Sequence, residues 1–157
     1  EFIMDLLVAE KGDIGRLGAN TCEEDLIDVI SSPFTMIGSD GIDAGTKPHP
    51  RLYSTFPRVL AKYVREQNVL TLEEGVRRMT GLTAETLKLP DVGFIRAGYK
   101  ADITIFDPAK IKETNSFSDP RKHPVGIDWV LVGGVVAMAE GTLTGNLNGQ
   151  VLRRQKH

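Results

Sequence analysis

The sequence predicts an α/β protein, with helices and a buried strand in its first part and antiparallel β-structure in its second. A helical pattern at 23–31 is followed by a short apolar run at 34–37 and then by a long polar loop, an order typical of parallel α/β folds. From about residue 93, β-branched residues and a hairpin pattern replace the helical spacing. The chain therefore divides into a unit at 1–92 and a second unit at 93–157.

The composition excludes several classes of protein. Of the 157 residues, 41% are hydrophobic and 25% charged, and 19 basic against 21 acidic residues give a net charge of -2. No apolar run reaches the ~18–20 residues of a membrane span, and no secretory signal is present at the start. Without a basic block, nucleic acid is not an expected partner. The expected location is the cytoplasm.

The opening residues have the apolar spacing of a helix that ends at a turn near Gly12. A short strand is predicted at 14–19, although two glycines weaken it. The helix at 23–31 has Thr21 as its predicted N-cap and an acidic first turn, which the positive end of the helix dipole favours. Cys22 is the only cysteine, so it cannot form an internal disulfide, and we expect it to be a small buried thiol.

The next two segments are a predicted strand and the loop that follows it. The apolar run at 34–37 is too short for a helix and predicts a strand buried on both faces. The polar loop at 39–56 has about eighteen residues, more than the ~4–6 of an average connection. Loops of this length often carry function, so the loop is the first place to look for a site.

Three helices are predicted after the loop. The first begins at Pro57, because proline suits the first position of a helix. The second begins at Thr71, where Thr71 and Glu74 match a capping box in which Glu74 reaches back to the backbone. The third covers 84–89 behind Thr83. These helices complete the first unit of the chain.

The second unit is predicted to be antiparallel β-structure. A strand is expected at 101–106, a hairpin at 127–139 and a last strand at 149–152. Trp129, with its valine and leucine neighbours, is expected to be a core side chain. Three or four strands leave an apolar face or edge exposed, so we expect other polypeptide to cover them.

Asp40 is the main candidate for chemistry. It follows the predicted strand directly, and in parallel α/β folds catalytic side chains emerge at the carboxyl ends of strands. A carboxylate there could act as a general base, as a metal ligand, or as both. The alternative is a structural aspartate that stabilises a bend between Gly38 and Gly41.

Two further candidates lie in the same loop. His49 lies between Pro48 and Pro50, and Arg51 follows directly. The two prolines hold the backbone extended and could direct both side chains at a ligand, and Arg51 would suit a carboxylate substrate. The alternative is a solvated loop stiffened by proline. His123 and His157 are expected to be exposed, and the acidic residues at 23–25 are expected to serve the helix N-terminus rather than a metal. No classical nucleophile motif is present.

Five blocks of sequence together resemble a known family. In chain order they are MIGSDG at 36–41, PHPRLY at 48–53, TFPRVL at 55–60, LEEGVRRMTGL at 72–82 and GYKADITIFD at 98–107. They resemble the C-terminal third of the N-acyl-D-amino-acid deacylases (D-aminoacylases) of the amidohydrolase superfamily. The resemblance extends from about residue 14 to residue 154.

The resemblance implies a fold. Members of the family have a (β/α)8 metal-dependent hydrolase barrel joined to a small β-sandwich built from both chain ends. Residues 1–92 would then be the C-terminal part of the barrel, with 34–37 as its last strand. Residues 93–157 would be the C-terminal part of the sandwich. The other strands would come from the N-terminal remainder of the same polypeptide.

The resemblance also implies a mechanism. Asp40 looks like the aspartate that in this superfamily takes a proton from the zinc-bound water and gives it to the leaving amine. Asp40 could itself contact the metal, but the family's histidine and cysteine ligands have no counterparts in this sequence. The complete enzyme would therefore use zinc, whereas this chain alone would bind none and be inactive.

The activity implied by the resemblance is hydrolysis of an N-acyl-D-amino acid to a carboxylate and a D-amino acid. Two alternatives stay open. The Ser-Asp-Gly region and the Gly-x-x-Ala-Asp strand also occur in cyclic amide hydrolases of the hydantoinase and dihydroorotase kind. The other alternative is a non-catalytic interaction module, and exposed sheet edges could also lead to self-association.

Overall fold

The structure, a computed structural model, describes residues 1–12 and 21–153. Its helical part contains α1 (Phe2–Ala9), α2 (Glu23–Ser31), α3 (Arg51–Arg58), a π-helix (Val59–Glu66), α4 (Leu72–Met79) and α5 (Gly81–Leu87). An antiparallel sheet follows, made of β1 (Ile103–Phe106), β2 (Ile127–Val132), β3 (Val135–Ala139) and β4 (Thr142–Leu143) in that order. The strand predicted at 14–19 and His157 lie outside the described residues.

The helical core joins α2 to the π-helix. Its buried residues are Ile30, Val59, Tyr63 and Leu70, and Tyr63 is only 2% exposed. Partly buried apolar residues pack around them, namely Leu26, Ile27, Ile37, Val64, Val69 and Met79. No helix of the described ranges is long and apolar enough to cross a membrane.

The N-terminus of α2 differs from the prediction. The N-cap residue is Cys22 rather than Thr21, and its Sγ accepts a hydrogen bond from the Asp25 N–H at 3.5 Å. Cys22 is exposed, so the expectation of a buried thiol was wrong. The reason is its place at the cap, where the sulfur faces the free N–H groups of the first turn instead of the core.

Residues 34–37 do not form the predicted buried strand. Phe34 is 86% exposed and lies in a turn, and residues 35–37 have no regular secondary structure. The Ile37 N–H donates to the Arg78 carbonyl at 3.2 Å, a contact with a helix end rather than with a strand. A strand needs a neighbour to pair with, and in residues 1–12 and 21–153 none lies beside this segment.

The helix predicted from Pro57 begins earlier, at Arg51, so that the polar loop ends at Pro50. Pro57 lies inside α3, where it has no N–H to donate to the preceding turn. The backbone then continues as the π-helix, whose hydrogen bonds span one residue more than those of an α-helix. At this start the His49 ring accepts from the Arg51 N–H, and the Ser54 hydroxyl donates to the Pro50 carbonyl, so the first turn is held by contacts that no capping motif of the sequence signalled.

Helices α4 and α5 agree with the prediction in type but not in detail. The Thr71 hydroxyl accepts from the Glu74 N–H at 3.2 Å, as predicted. The Glu74 carboxylate does not reach back, because it pairs with Arg77 and Arg78, each at 2.7 Å. Helix α5 starts at Gly81, before the expected 84–89.

The ion pairs of Glu74 make folding stability depend on pH. Hydrogen bonds from Arg77 and Arg78 lower the pKa of Glu74 from its ordinary 4.5 to about 2. The unfolded chain therefore takes up this proton more readily than the folded chain does. The contribution to stability is complete above about pH 4.5 and is lost as the pH falls towards about 2. In Glu74→Gln we expect a weaker fall of the unfolding temperature over this window.

Glu73→Gln is the matched control, since Glu73 is an exposed carboxylate in the same turn of α4. Thermal unfolding at a series of acidic pH values would compare the two variants with the unsubstituted protein. Equal pH dependence of Glu74→Gln and Glu73→Gln would contradict the assignment to the Glu74 ion pairs.

The antiparallel hairpin is confirmed. Strands β2 and β3 pair with Val132 opposite Val135, and the two residues between them, Gly133 and Gly134, have φ of +57° and +80°. Positive φ at both positions is what a type I′ turn requires. The strand predicted at 101–106 is also present as β1, which pairs with β2.

Two expectations about the sheet were wrong. Trp129 is 36% exposed, so it is not a core side chain within the described residues. Residues 149–152 form no strand, and the last strand is instead β4, which pairs with β3. Directly after β4, the Thr144 N–H donates to the Ala137 carbonyl of β3 at 3.0 Å. The pairing with β3 therefore ends before the chain reaches residue 149.

Candidate active site

Asp40 lies in the irregular segment between α2 and α3. Its φ is +46°, in the left-handed region that aspartate and asparagine tolerate better than most residues. The Gly41 N–H donates to the Ser39 hydroxyl oxygen at 3.3 Å, so Ser39 rather than Asp40 stabilises this bend. The Asp40 side chain is 74% exposed, which leaves its carboxylate free for contacts outside the backbone.

Arg51 lies in the first turn of α3 and reaches Asp40. Its Nη2 is 2.8 Å from the Asp40 Oδ2. Its Nε is buried and has no hydrogen-bond acceptor among the described residues. A guanidinium has five N–H donors, so the ion pair with Asp40 leaves donors for a further acceptor.

His49 lies on the other side of Pro50 from Arg51. Its Nδ1 accepts from the Arg51 backbone N–H at 3.1 Å, which places the proton of the neutral imidazole on Nε2. Burial lowers the pKa of His49 below its ordinary 6.5, the Arg51 charge lowers it further, and Asp40 opposes them. The neutral form is therefore favoured near pH 7, with Nε2 as a donor.

The three residues chosen from the sequence thus meet in space. Asp40 pairs with Arg51, and the backbone of Arg51 bonds to His49. His123 is exposed, as expected, and its ring contacts Tyr53 edge to face at 5.1 Å. Asp40 offers a carboxylate that can exchange protons, Arg51 a cation for an anionic ligand, and His49 a neutral hydrogen-bond donor.

The described residues do not bring together enough side chains to hold a metal ion. Within the described ranges, no three histidine, cysteine, aspartate or glutamate side chains lie together as a metal site would need. Glu23, in the acidic turn of α2, pairs with Lys62 at 2.6 Å. Zinc takes three or four protein ligands, so the described residues do not fit a complete zinc site.

A cavity of about 880 Å³ lies between the helices and the sheet, away from this site. Its walls are mainly apolar and include Leu60 of the π-helix, Val76 of α4 and Val130 of β2. Asp40, His49 and Arg51 do not line it. The cavity therefore lies apart from the three side chains chosen as candidates.

Two further residues contact the site loop and were not among the candidates from the sequence. Asn115 bonds to the Pro50 carbonyl, and Arg121 bonds to the carboxylate of Asp43. These partners are 65 and 78 residues apart in the chain, so no motif or spacing could have revealed them.

Comparison with known proteins agrees with the blocks singled out in the sequence. The model of the amidohydrolase family matches residues 28–138. A D-aminoacylase from Alcaligenes xylosoxydans xylosoxydans is 43% identical over 132 residues, which are 84% of this chain and 27% of that protein. The chain spans about a quarter of the length of the curated relatives that it matches.

Solved structures lead to the same family. A D-aminoacylase structure superposes with a TM-score of 0.82 at 40% identity, covering 85% of this chain and 28% of the other. The N-acyl-D-glutamate deacylase of Bordetella bronchiseptica, complexed with zinc and a phosphonate that mimics the tetrahedral intermediate, has a TM-score of 0.73 at 36% identity, covering 78% and 27%. The resemblance to the D-aminoacylases is thereby confirmed, and the chain belongs to the amidohydrolase family.

Proposed function

We propose that this chain is the C-terminal portion of a zinc-dependent N-acyl-D-amino-acid deacylase. The complete protein would hydrolyse the amide bond of an N-acyl-D-amino acid to a carboxylate and a free D-amino acid. The observation that carries the proposal is the pair of Asp40 and Arg51 at 2.8 Å, in a chain whose relatives are named D-aminoacylase and N-acyl-D-glutamate deacylase.

The chemistry of the substrate explains why these two groups should be adjacent. In an N-acyl-amino acid, the amide nitrogen and the α-carboxylate are attached to the same carbon atom. A group that delivers a proton to the leaving nitrogen must therefore lie beside the group that holds the carboxylate. Asp40 and Arg51 have this arrangement, and a guanidinium binds carboxylates through paired N–H donors.

Asp40 is assigned the proton transfers. As a general base it takes a proton from the water that attacks the acyl carbonyl, and as a general acid it returns a proton to the amine that leaves. Arg51 holds the α-carboxylate with the donors that Asp40 does not use. His49, favoured in its neutral form, can donate from Nε2 to an oxygen of the bound substrate.

The rest of the protein is part of the proposal. We assign residues 1–92 to the C-terminal part of a (β/α)8 barrel and residues 93–157 to the C-terminal part of a small β-sandwich. The described residues offer Asp40 as one candidate zinc ligand, so the other ligands would belong to the remainder of the polypeptide. The apolar surface at Phe2, Ile3 and Phe34 is consistent with such a remainder.

The direct test is an assay of the complete protein on three classes of substrate. We expect release of free amine from N-acetyl-D-amino acids and little from their L-enantiomers. Ring opening of hydantoins instead would favour the cyclic amide hydrolases. If the zinc-loaded protein hydrolysed none of the three classes, the interaction module would be the better explanation.

Arg51→Lys tests the assignment of the α-carboxylate. Lysine keeps the charge but loses the paired donors, so we expect KM to rise about 10- to 30-fold, a loss of ~1.4–2 kcal/mol of binding. The value of kcat should change little, because the contact with the carboxylate is present before and during the reaction.

The control for Arg51→Lys is a substrate in which an amide replaces the carboxylate. On this substrate the variant and the unsubstituted protein should have similar KM values. An equal rise of KM on both substrates would show that Arg51 does not hold the carboxylate.

A further inference from the structure

The connection between β1 and β2 forms a closed loop, which we call the clamp segment and define as residues 112–125. Its ends are joined by two backbone hydrogen bonds between Lys112 and Val125, at 3.1 and 3.2 Å. The Thr114 hydroxyl donates to the His123 carbonyl at 2.7 Å and ties the segment a second time. Hydrogen bonds within the clamp segment therefore give it a defined backbone conformation.

Asn115 connects the clamp segment to the first turn of α3. Its Nδ2 donates to the Pro50 carbonyl at 2.8 Å and to the Pro120 carbonyl at 2.9 Å. Its Oδ1 accepts from the Ser54 hydroxyl at 2.7 Å. Ser54 is only 6% exposed and Asn115 is partly buried, so this small polar network lies mostly out of solvent against the first turn of α3.

Other contacts hold the neighbouring part of the loop. The Arg121 Nη2 lies 2.8 Å from the Asp43 Oδ1 and 2.9 Å from the Gly45 carbonyl. The Phe117 ring meets His49 edge to face at 5.0 Å. The clamp segment thus contacts the site loop before, at and after the turn that contains Pro50.

We propose that the clamp segment positions the substrate-binding turn, and that Asn115 is the positioning residue for Arg51. The inference rests on the proposed function. Pro50 lies between His49 and Arg51, and its carbonyl accepts from the N–H groups of Tyr53 and Ser54 within α3. The Asn115 amide adds the bond that ties this carbonyl to a distant part of the chain, and so it helps to hold the backbone from which both side chains extend. Loss of Asn115 leaves Ser54 and the Pro50 carbonyl with fewer partners, and the turn gains freedom.

Amide hydrogen exchange tests the clamp without any need for activity. In the complete protein, Asn115→Ala should speed exchange about tenfold or more at 49–56 and leave α4 unchanged, since local opening governs exchange. Ser118→Ala is the matched control, because Ser118 lies in the same segment and bonds only to the Ser116 hydroxyl, at 2.8 Å. If Asn115→Ala does not fold, Asn115→Asp removes the same Nδ2 donor to the Pro50 carbonyl while it keeps an oxygen that can accept from the Ser54 hydroxyl.

Kinetics on N-acetyl-D-amino acids separate positioning from a general loss of stability. Asn115→Ala should raise KM about 5- to 10-fold with kcat within about twofold, and in an Arg51→Ala background it should change KM less than about twofold. An equal KM effect in both backgrounds, or unchanged exchange at 49–56, would overturn the inference. Absence of hydrolysis by the unsubstituted protein would instead refute the proposed function, and exchange would still decide whether the clamp holds the turn.

Discussion

Asp40→Asn in the complete protein is expected to lower kcat by about 10³- to 10⁴-fold, because an amide cannot exchange protons with the attacking water or the leaving amine. Asparagine keeps the size of the side chain and tolerates the φ of +46° found at this position. Its amide oxygen can still accept a hydrogen bond from Arg51. The loss should therefore be chemical and not structural.

Asp91→Asn is the control for this experiment. Asp91 is also a left-handed aspartate, with φ +56°, and it is exposed away from the site. Its variant should retain kcat within about twofold. The zinc content of both variants, measured by mass spectrometry, should stay near that of the unsubstituted protein. Turnover by Asp40→Asn close to that of Asp91→Asn would remove Asp40 from the mechanism.

Arg78→Met is expected to lower the free energy of unfolding by about 3–5 kcal/mol. Arg78 is 2% exposed, and its guanidinium bonds to the Ile30 carbonyl, to the Ser32 carbonyl at 2.6 Å and to Glu74 at 2.7 Å. These contacts hold the end of α2 against α4. Methionine would fill most of the volume but would leave two carbonyls without their donor.

Arg77→Met provides the comparison for Arg78→Met. Arg77 bonds to the same carboxylate, but its side chain is 42% exposed, so its loss should cost less than about 1 kcal/mol. Denaturant unfolding of both variants would measure the difference. Equal destabilisation would mean that the pairing with Glu74, and not the buried contacts to α2, is what Arg78 contributes.

The elements that could be predicted are those with local signals. The N-cap Thr71 and the glycine pair of the hairpin act on their own neighbours in the chain, and both were confirmed. The start of α3 at Arg51 was not predicted, because its first turn is held by the His49 ring and by a contact between Ser54 and Asn115, which are 61 residues apart, and neither contact is a standard capping signal. The strand at 34–37 was predicted from its apolar run, but a strand also needs a partner, and composition does not reveal one.

The candidate site also contains residues that the sequence predicted and contacts that it did not. Asp40, His49 and Arg51 were chosen because prolines and glycines mark their loop, and the structure brings them together. The contacts that hold the loop come from the clamp segment and could not be found from spacing. Sequence patterns located the candidate residues, whereas the residues that contact their loop from the clamp segment were found only in the structure.

The left-handed backbone at Asp40 has a consequence for protein engineering. Glycine adopts φ +46° without steric cost, so a redesign that optimised stability alone would favour glycine at position 40. Such a redesign would raise stability but remove the carboxylate to which the proton transfers are assigned. A thermostabilised version of this protein should therefore keep position 40 fixed and draw its gains from other positions.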